Sequence, residues 1–270
     1  MGGAAGLGAG AAAWSLFESQ WVELRRVSVP LPGLPGALDG LRVLHLSDLH
    51  LGTVSLGARA LRKAVAWADE ERPDLVAITG DLVTRGRGRR ALEDALGRLE
   101  PRLGTFAVLG NHDVDDSRDP FRRPADLSDL AVPGTRLLRD DEAVVEVDGA
   151  RVQIVGVDPS TYRRGGSRPA ARADRDADLR ILLCHYPDIV RRVPEGVFEL
   201  VLAGHFHGGQ LAVPSPWGRV RLKDFRATYW EGLFDTPAGA LHVSRGLGTS
   251  FVPFRLWARP EATLLTLGRA

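Results

Sequence analysis

Five short apolar runs in this chain each end in acidic, amide or imidazole side chains, and that repetition constrains the fold more than any other feature. "RVLHLSDLH" leads into Asp48 and His50, "LVAITGD" into Asp81, "FAVLGNHD" into Asn111, His112 and Asp113, "ILLCH" into His185, and "LVLAGHFH" into His205 and His207. In open α/β sheets, ligands bind beyond the carboxyl ends of the strands, so the five clusters are expected to converge on one crevice. On an extended backbone residues i and i+2 share a side, which would let Asp48 with His50, and His205 with His207, each act as a pair. Gly80, Gly110 and Gly204 precede three of the clusters and are expected to permit sharp turns there.

A single Asp-x-His is weak evidence, because Asp after a strand is also an ordinary turn or capping residue. Five clusters in one chain carry more weight. Five of the seven histidines fall in them, whereas His45 and His242 lie inside strand-like runs and read as structural histidines with satisfied ring nitrogens. Cys184 neighbours His185, but adjacent strand residues face opposite sides, so it reads as a packing residue. As the lone cysteine it also excludes an intrachain disulfide framework.

Strands are expected over residues 22–31, 41–47, 75–79, 105–109, 143–147, 151–157, 179–184, 198–203 and 241–244. Between them, Leu61, Ala64, Val65 and Ala68 mark one helical stripe, and Ala91, Leu92, Ala95, Leu96 and Leu99 another. That alternation argues for an α/β layered fold. "DGA" at 148–150 is a hairpin turn signal, so the sheet is expected to be mixed. Residues 2–17 carry no charge but are mostly Gly and Ala, and no Lys or Arg precedes them. They fall short of the roughly 20 apolar residues of a membrane span. Residues 1–21 therefore read as either a weak membrane anchor or a disordered tail, with Trp14, Phe17 and Trp21 suited to a membrane interface, and residues 22–270 as a single domain.

The five blocks, in the order "SDLH", "GD", "GNHD", "CH" and "GHFH", resemble the signature of the calcineurin-like metallophosphoesterases. The stretches "LDGLRVLHLSDLHLG", "GHFHGGQLAVP" and "LHVSRGLGTSFVPFRLWARPEATLLTL" resemble the bacterial membrane-associated branch of that family, which includes phosphodiesterases and hydrolases of UDP-2,3-diacylglucosamine. The resemblance implies a layered mixed β-sheet sandwich flanked by helices, and two divalent metal ions. It implies Asp48, His50 and His207 on one ion, Asn111, His185 and His205 on the other, and Asp81 bridging both. His112 matches the family histidine that donates a proton to the leaving oxygen or stabilises the transition state. Two Asp charges against four metal charges leave the site net positive for a phosphate, and the imidazoles favour Mn, with Fe or Zn as alternatives, over Mg or Ca.

Asp113 reads equally as an orienting residue or as a cap. Thr84 stands where protein-phosphatase members carry an aspartate partner for the catalytic histidine, which disfavours a protein phosphatase. Arg85 follows it and is a candidate phosphate clamp. The expected activity is hydrolysis of a phosphodiester or diphosphate in a lipid-linked or nucleotide-like substrate, with a phosphomonoesterase as a near variant. A nuclease is disfavoured: the arginine-rich stretches 85–90, 118–123 and 163–175 carry a single aromatic between them, Phe121, and the net charge is only +1. A non-catalytic scaffold should show broken ligand blocks, and none is broken. Trp217, Phe225, Tyr229, Trp230, Phe234, Phe251, Phe254 and Trp257 are candidates for an apolar rim facing acyl chains. The expected location is the cytoplasm, at the inner face of the membrane, with a peripheral membrane contact; the sequence points to no protein partner.

Overall fold

The computed structural model describes residues 2–53, 57–114, 117, 127, 130–216, 218–221 and 227–270. Trp217, Phe225 and the arginines of 118–123 lie outside these residues. Among the described residues fourteen strands occur: β1 (Glu23–Leu31), β2 (Arg42–Leu46), β3 (Leu75–Thr79), β4 (Thr105–Val108), β5 (Thr135–Leu137), β6 (Asp141–Val147), β7 (Ala150–Gly156), β8 (Leu179–Leu183), β9 (Leu200–Ala203), β10 (Ala212–Ser215), β11 (Gly218–Arg221), β12 (Gly232–Thr236), β13 (Gly239–Val243) and β14 (Glu261–Arg269). Four α-helices accompany them: α1 (Gly2–Glu18), α2 (Gly57–Glu71), α3 (Arg89–Leu96) and α4 (Pro159–Arg163).

Two six-stranded sheets stack as a sandwich. Their orders are β1-β14-β2-β3-β4-β5 and β12-β13-β9-β8-β7-β6, and β10 with β11 forms a separate hairpin. Both sheets are mixed: β2 to β5 run parallel while β14 opposes β2, and β7, β8, β9 and β13 run parallel while β6 and β12 oppose their neighbours. The expected hairpin at Asp148-Gly149 joins β6 to β7, with both residues at positive φ (48° and 83°), as the tight primed turn requires.

The apolar runs are continuous because both faces of the central strands are covered. In β3, Leu75 and Ala77 face the sandwich interior with Ile154, Ile181 and Leu200, while Val76 and Ile78 pack outward against Leu61, Ala64 and Val65 of α2 and Leu92 of α3. The outer face of the second sheet is covered in the same way, Leu182, Cys184 and Val201 packing on Tyr162 of α4, Ile189 and Val190. Cys184 is thus a packing residue, and burial pushes its thiol up to about 12. Residues 2–18 are helical, and the carboxyl end of α1 is anchored: Ser15 and Glu18 are buried, the Ser15 carbonyl accepts from Arg255 N, and Glu18 accepts from Ala258 N at 2.8 Å.

The two sheets are also joined by charge. Glu261, fully buried at the start of β14, accepts from the Arg245 backbone (3.0 Å) and guanidinium (2.7 Å), just beyond β13. Burial alone would raise the Glu261 carboxyl, but the Arg245 charge, with His242 and the Arg245 N–H, holds it below the ordinary glutamate range. Its stabilising contribution is therefore full above the ordinary glutamate pKa and is lost as pH falls through the lower folded value. Glu261→Gln is expected to lower neutral-pH stability by about 1–3 kcal/mol, because it removes the fully buried one of the Arg245 carboxylate partners and leaves the more exposed Glu23 at 2.7 Å. The acid side of the thermal-melting profile should flatten in the variant. Calorimetry across pH checks both.

Candidate active site

All five clusters meet at one end of the sandwich, where β2, β3 and β4 of the first sheet and β8 and β9 of the second deliver their carboxyl ends. Asp48, His50, Asp81, Asn111, His112, His185 and His207 are buried, and His205 is half-buried. Two groups of ligand-type atoms share one carboxylate oxygen. In the first group, His50 Nε2 lies 3.1 Å from His207 Nε2 and 3.5 Å from Asp81 Oδ2, and His207 Nε2 lies 3.3 Å from Asp48 Oδ1. One ligand-type atom from each of these four residues falls within 4.8 Å of the others. In the second group, His185 Nε2 lies 3.0 Å from Asn111 Oδ1, 3.1 Å from His205 Nδ1 and 3.4 Å from Asp81 Oδ2.

The pairs are not presented as sequence periodicity suggests. Strand β2 ends at Leu46, and Asp48 (φ 49°), His50 (46°), Asp81 (52°), His205 (78°) and His207 (53°) all adopt left-handed backbone. Extended geometry would have sent the intervening residues to the opposite side. The left-handed residues instead curl the chain around the crevice, at a cost of about 1 kcal/mol or more each, as strained positions in functional sites do. Asp, Asn and His tolerate that conformation better than most side chains.

Of the three glycines, Gly80 has a turn-type φ of 92°. Gly110 and Gly204 serve close approach instead. A Cβ on Gly110 would overlap the Asp81 carboxylate, and one on Gly204 would overlap Ser47 Oγ and the Asp48 carboxylate. Gly246 and Gly248 press on Asp48 and on Leu49 and His50 in the same way, and sequence patterning did not single them out.

Surrounding groups fix which ring nitrogens face inward. His185 Nδ1 lies 2.8 Å from the Thr79 carbonyl, an acceptor, so that nitrogen carries a proton in both the neutral and the charged ring, and Nε2 is the nitrogen turned to the crevice. Thr84 contacts His50 Nδ1 at 2.8 Å and not His112, so the residue standing at the aspartate position orients a ligand-type histidine. The ring of His112 packs edge-on to His50 with centroids 4.6 Å apart, its Nε2 lies 2.9 Å from Ser117 Oγ, and its backbone N–H donates to Asp81 Oδ1 at 2.8 Å. Asp113 accepts from the backbone N–H groups of Gly110, Leu82 and Val83, and so ties the third cluster's loop to the second's. Arg85 is half-buried, in a loop whose backbone bonds to Leu51 beside the site.

Arg255 was not a sequence candidate. It is fully buried, donates to the carbonyls of Arg245, Gly246, Gly248 and Ala258, and reaches the carbonyl and Nδ1 of His207 at 3.4 and 3.3 Å. Burial, and then the Arg245 charge, lower its guanidinium to about 10, still fully charged at neutral pH. Nothing in the local pattern "FRLWARP" separates it from the chain's many surface arginines.

Carboxylate oxygens, an amide oxygen and imidazole ring nitrogens thus converge within 3.0–3.5 Å. Such a donor set fits divalent cations. On this sandwich it defines a metal-dependent phosphoester hydrolase. The family model for calcineurin-like phosphoesterases matches residues 41–209. The chain is 32% identical over 235 residues to the uncharacterized metallophosphoesterase YkoQ of Bacillus subtilis (strain 168), covering 86% of this chain and 84% of that one. It is 29% identical over 231 residues to the phosphodiesterase YaeI of Escherichia coli (strain K12), covering 84% and 82%. It is 30% identical over 262 residues to a Danio rerio transmembrane protein with metallophosphoesterase domain, covering 90% of this chain and 57% of that one. The chain belongs to the calcineurin-like phosphoesterase family.

In the metal-free protein, burial lowers the His185 pKa, but the charge and hydrogen bond of Asp81, together with Asp48, push it up to about 9. A cation must displace that proton below pH 9. Adding Zn2+ to metal-free protein at pH 7 is expected to release protons, and apparent affinity should rise with pH until about 9. Calorimetry in buffers of different ionisation enthalpy measures the release.

Proposed function

We propose that this protein hydrolyses a phosphodiester or diphosphate bond in an amphiphilic substrate, such as UDP-2,3-diacylglucosamine, with two divalent transition-metal ions held at the sandwich end. The observation that carries the hydrolytic reading is the double group of lone-pair atoms sharing Asp81 Oδ2. Asp48, His50 and His207 would hold one ion, and Asn111, His185 and His205 the other, with Asp81 common to both. Mn is the favoured metal, with Fe or Zn as alternatives. When bound, the ions supply Lewis-acid activation of water and of the phosphoryl oxygens. His112, beside His50 and held by Ser117 and by its backbone bond to Asp81, would donate the proton to the leaving oxygen. Arg85, on the loop against Leu51, would neutralise a phosphate oxygen. Phe206 packs at a tilt against His205, and Trp230 against Phe206, giving the crevice an apolar wall on the side of the second group.

The amphiphilic substrate and a membrane contact rest on a second observation. Trp14, Phe17 and Trp21 are each about half exposed and pack on one another with ring centroids 5.7–6.4 Å apart, while Arg259 lies 3.9 Å over Trp21. Exposed aromatics beside arginine suit the headgroup boundary of an anionic bilayer. No helix among the described residues is long and apolar enough to cross a membrane, so the contact proposed is peripheral, at the cytoplasmic face. Arg255 links the two regions, since its backbone N–H bonds Ser15 while its side chain reaches His207. Of the downstream aromatics, Phe251 and Trp257 are exposed, whereas Tyr229 and Phe234 pack against the outer core of the second sheet.

Asp81→Ala is expected to impair uptake of both ions, while His112→Ala keeps them and loses about 100- to 10,000-fold in turnover. Metal analysis with steady-state kinetics checks this, and an emptied site in His112→Ala would overturn the assignment. The double variant Trp14→Ser, Phe17→Ser keeps the buried Ser15 and Glu18 contacts. It should sediment less with anionic liposomes and act more slowly on UDP-2,3-diacylglucosamine, with hydrolysis of a small soluble diester retained. Unchanged sedimentation would remove the membrane contact from the proposal.

A further inference from the structure

A chain of buried polar side chains leads from the carboxylate of Asp48 into the sandwich interior, through residues without a role in the chemistry described above. Ser47 Oγ lies 2.6 Å from Asp48 Oδ2, Thr79 Oγ1 lies 2.8 Å from Ser47 Oγ, His45 Nε2 lies 2.9 Å from Thr79 Oγ1, and His242 Nδ1 lies 2.8 Å from His45 Nδ1. His45 projects from β2 of the first sheet and His242 from β13 of the second, so the two rings meet across the sandwich, 5.0 Å apart and nearly perpendicular. Ser47, Asp48, Thr79, His45 and His242 are all completely buried.

Proton counting gives this chain one direction. An ionised Asp48 can only accept, so the single Ser47 proton goes to Oδ2 in the shorter of its two contacts, the other being 3.3 Å to the Thr79 carbonyl. Thr79 must then donate to Ser47, and His45 must donate to Thr79 from Nε2. That leaves His45 Nδ1 as a lone pair, which takes its proton from His242 Nδ1. The chain ends on the His242 Nε2 lone pair, which is buried and has no hydrogen-bond partner. Reversing any one link leaves two lone pairs or two protons facing each other at 2.6–2.9 Å. Both histidines are held neutral as this requires: burial, and then His242, keep the His45 pKa well below its ordinary value, and burial brings His242 down to about 4.

We infer that Ser47, Thr79, His45 and His242 form a directed hydrogen-bond relay that positions Asp48, committing Oδ2 to the protein and leaving Oδ1 to a cation. The inference rests on the reading of Asp48 as a metal ligand. The backbone N–H of His205 lies within 3.1–3.2 Å of both Asp48 oxygens, and Oδ1 alone faces His207 Nε2. Four aligned donors polarise one another toward the carboxylate, and partners beyond the ligand shell commonly contribute 10- to 100-fold to metal affinity. His45 and His242 are thus positioning residues, reaching the metal site through two hydroxyls.

Long-range proton–nitrogen NMR of the chelator-treated protein at pH 8 tests the direction. His45 should appear as the Nε2–H tautomer and His242 as the Nδ1–H tautomer; the opposite tautomer at either ring overturns the relay. Zn2+ titration tests the role. Thr79→Val, which removes only the hydroxyl, should weaken one of two Zn2+ sites by about 10- to 100-fold, and Thr79→Ser should restore it. Full affinity in Thr79→Val, or failure of Thr79→Ser to restore it, overturns the positioning role. Should Thr79→Val not fold, His45→Leu against His45→Gln, whose amide can still donate to Thr79, gives the same comparison. A wild-type protein that takes up no Zn2+ would refute the metal-ligand reading itself, and the tautomers would still decide whether the relay exists.

Discussion

The ring nitrogens and oxygens gathered around Asp81 Oδ2 must be held close together at one buried point, and much of the surrounding structure serves that requirement. His50 and His185 approach this oxygen from the two sheets at 3.5 and 3.4 Å. In water such an arrangement would disperse. Here it persists because four of the seven ligand-type residues are fixed from behind: His50 by Thr84, His185 by the Thr79 carbonyl, Asp48 by Ser47 and the His205 N–H, and Asp81 by the His112 N–H. The left-handed backbone at five ligand-type residues belongs to the same arrangement. Strain of that kind survives only where neighbouring bonds over-determine it.

The sequence carried much of this but not all. The strands with continuous apolar runs were readable because both faces are buried, and their boundaries fell within a residue or two of those observed. Strand β14 was not recognised, although it sits between β1 and β2. Its buried Glu261 and Thr263 interrupt the apolar signal, and its pairing joins segments more than 200 residues apart. The converging clusters were legible because strand exits were marked by unusual residue types. The way the backbone delivers them was not, because periodicity describes regular strands and these residues lie beyond strand ends. His45 reads correctly as a core histidine with both nitrogens satisfied. Its partners were invisible because His242 lies 197 positions away on the other sheet. Arg255 shows the same limit, since a buried and a solvated arginine look alike in a linear pattern.

The N-terminal segment shows how local composition can mislead. Its Gly and Ala content suggests weak order, yet its last turn is incorporated into the domain through Ser15 and Glu18. The loop that receives these bonds also carries Arg255 and, through it, touches the carbonyl of His207. The aromatic surface of α1 and the candidate metal centre are therefore separated by a few hydrogen bonds within one loop.

Four of the six short contacts between ligand-type side chains cross from one sheet to the other: Asp48 to His207, His50 to His207, Asn111 to His185 and Asp81 to His185. The apolar interface between the sheets resists separation but offers little directional resistance to shear, because hydrophobic contact has no preferred bearing. A cation seated among these atoms would act as a rivet through both layers. Sliding one sheet past the other would pull residues of one sheet away from their partners across the site, so occupancy would be coupled to the register of the two sheets. The same coupling would tie the segments 48–113 and 185–207, which carry the ligand-type residues of the two sheets, into one alignment once a cation is bound.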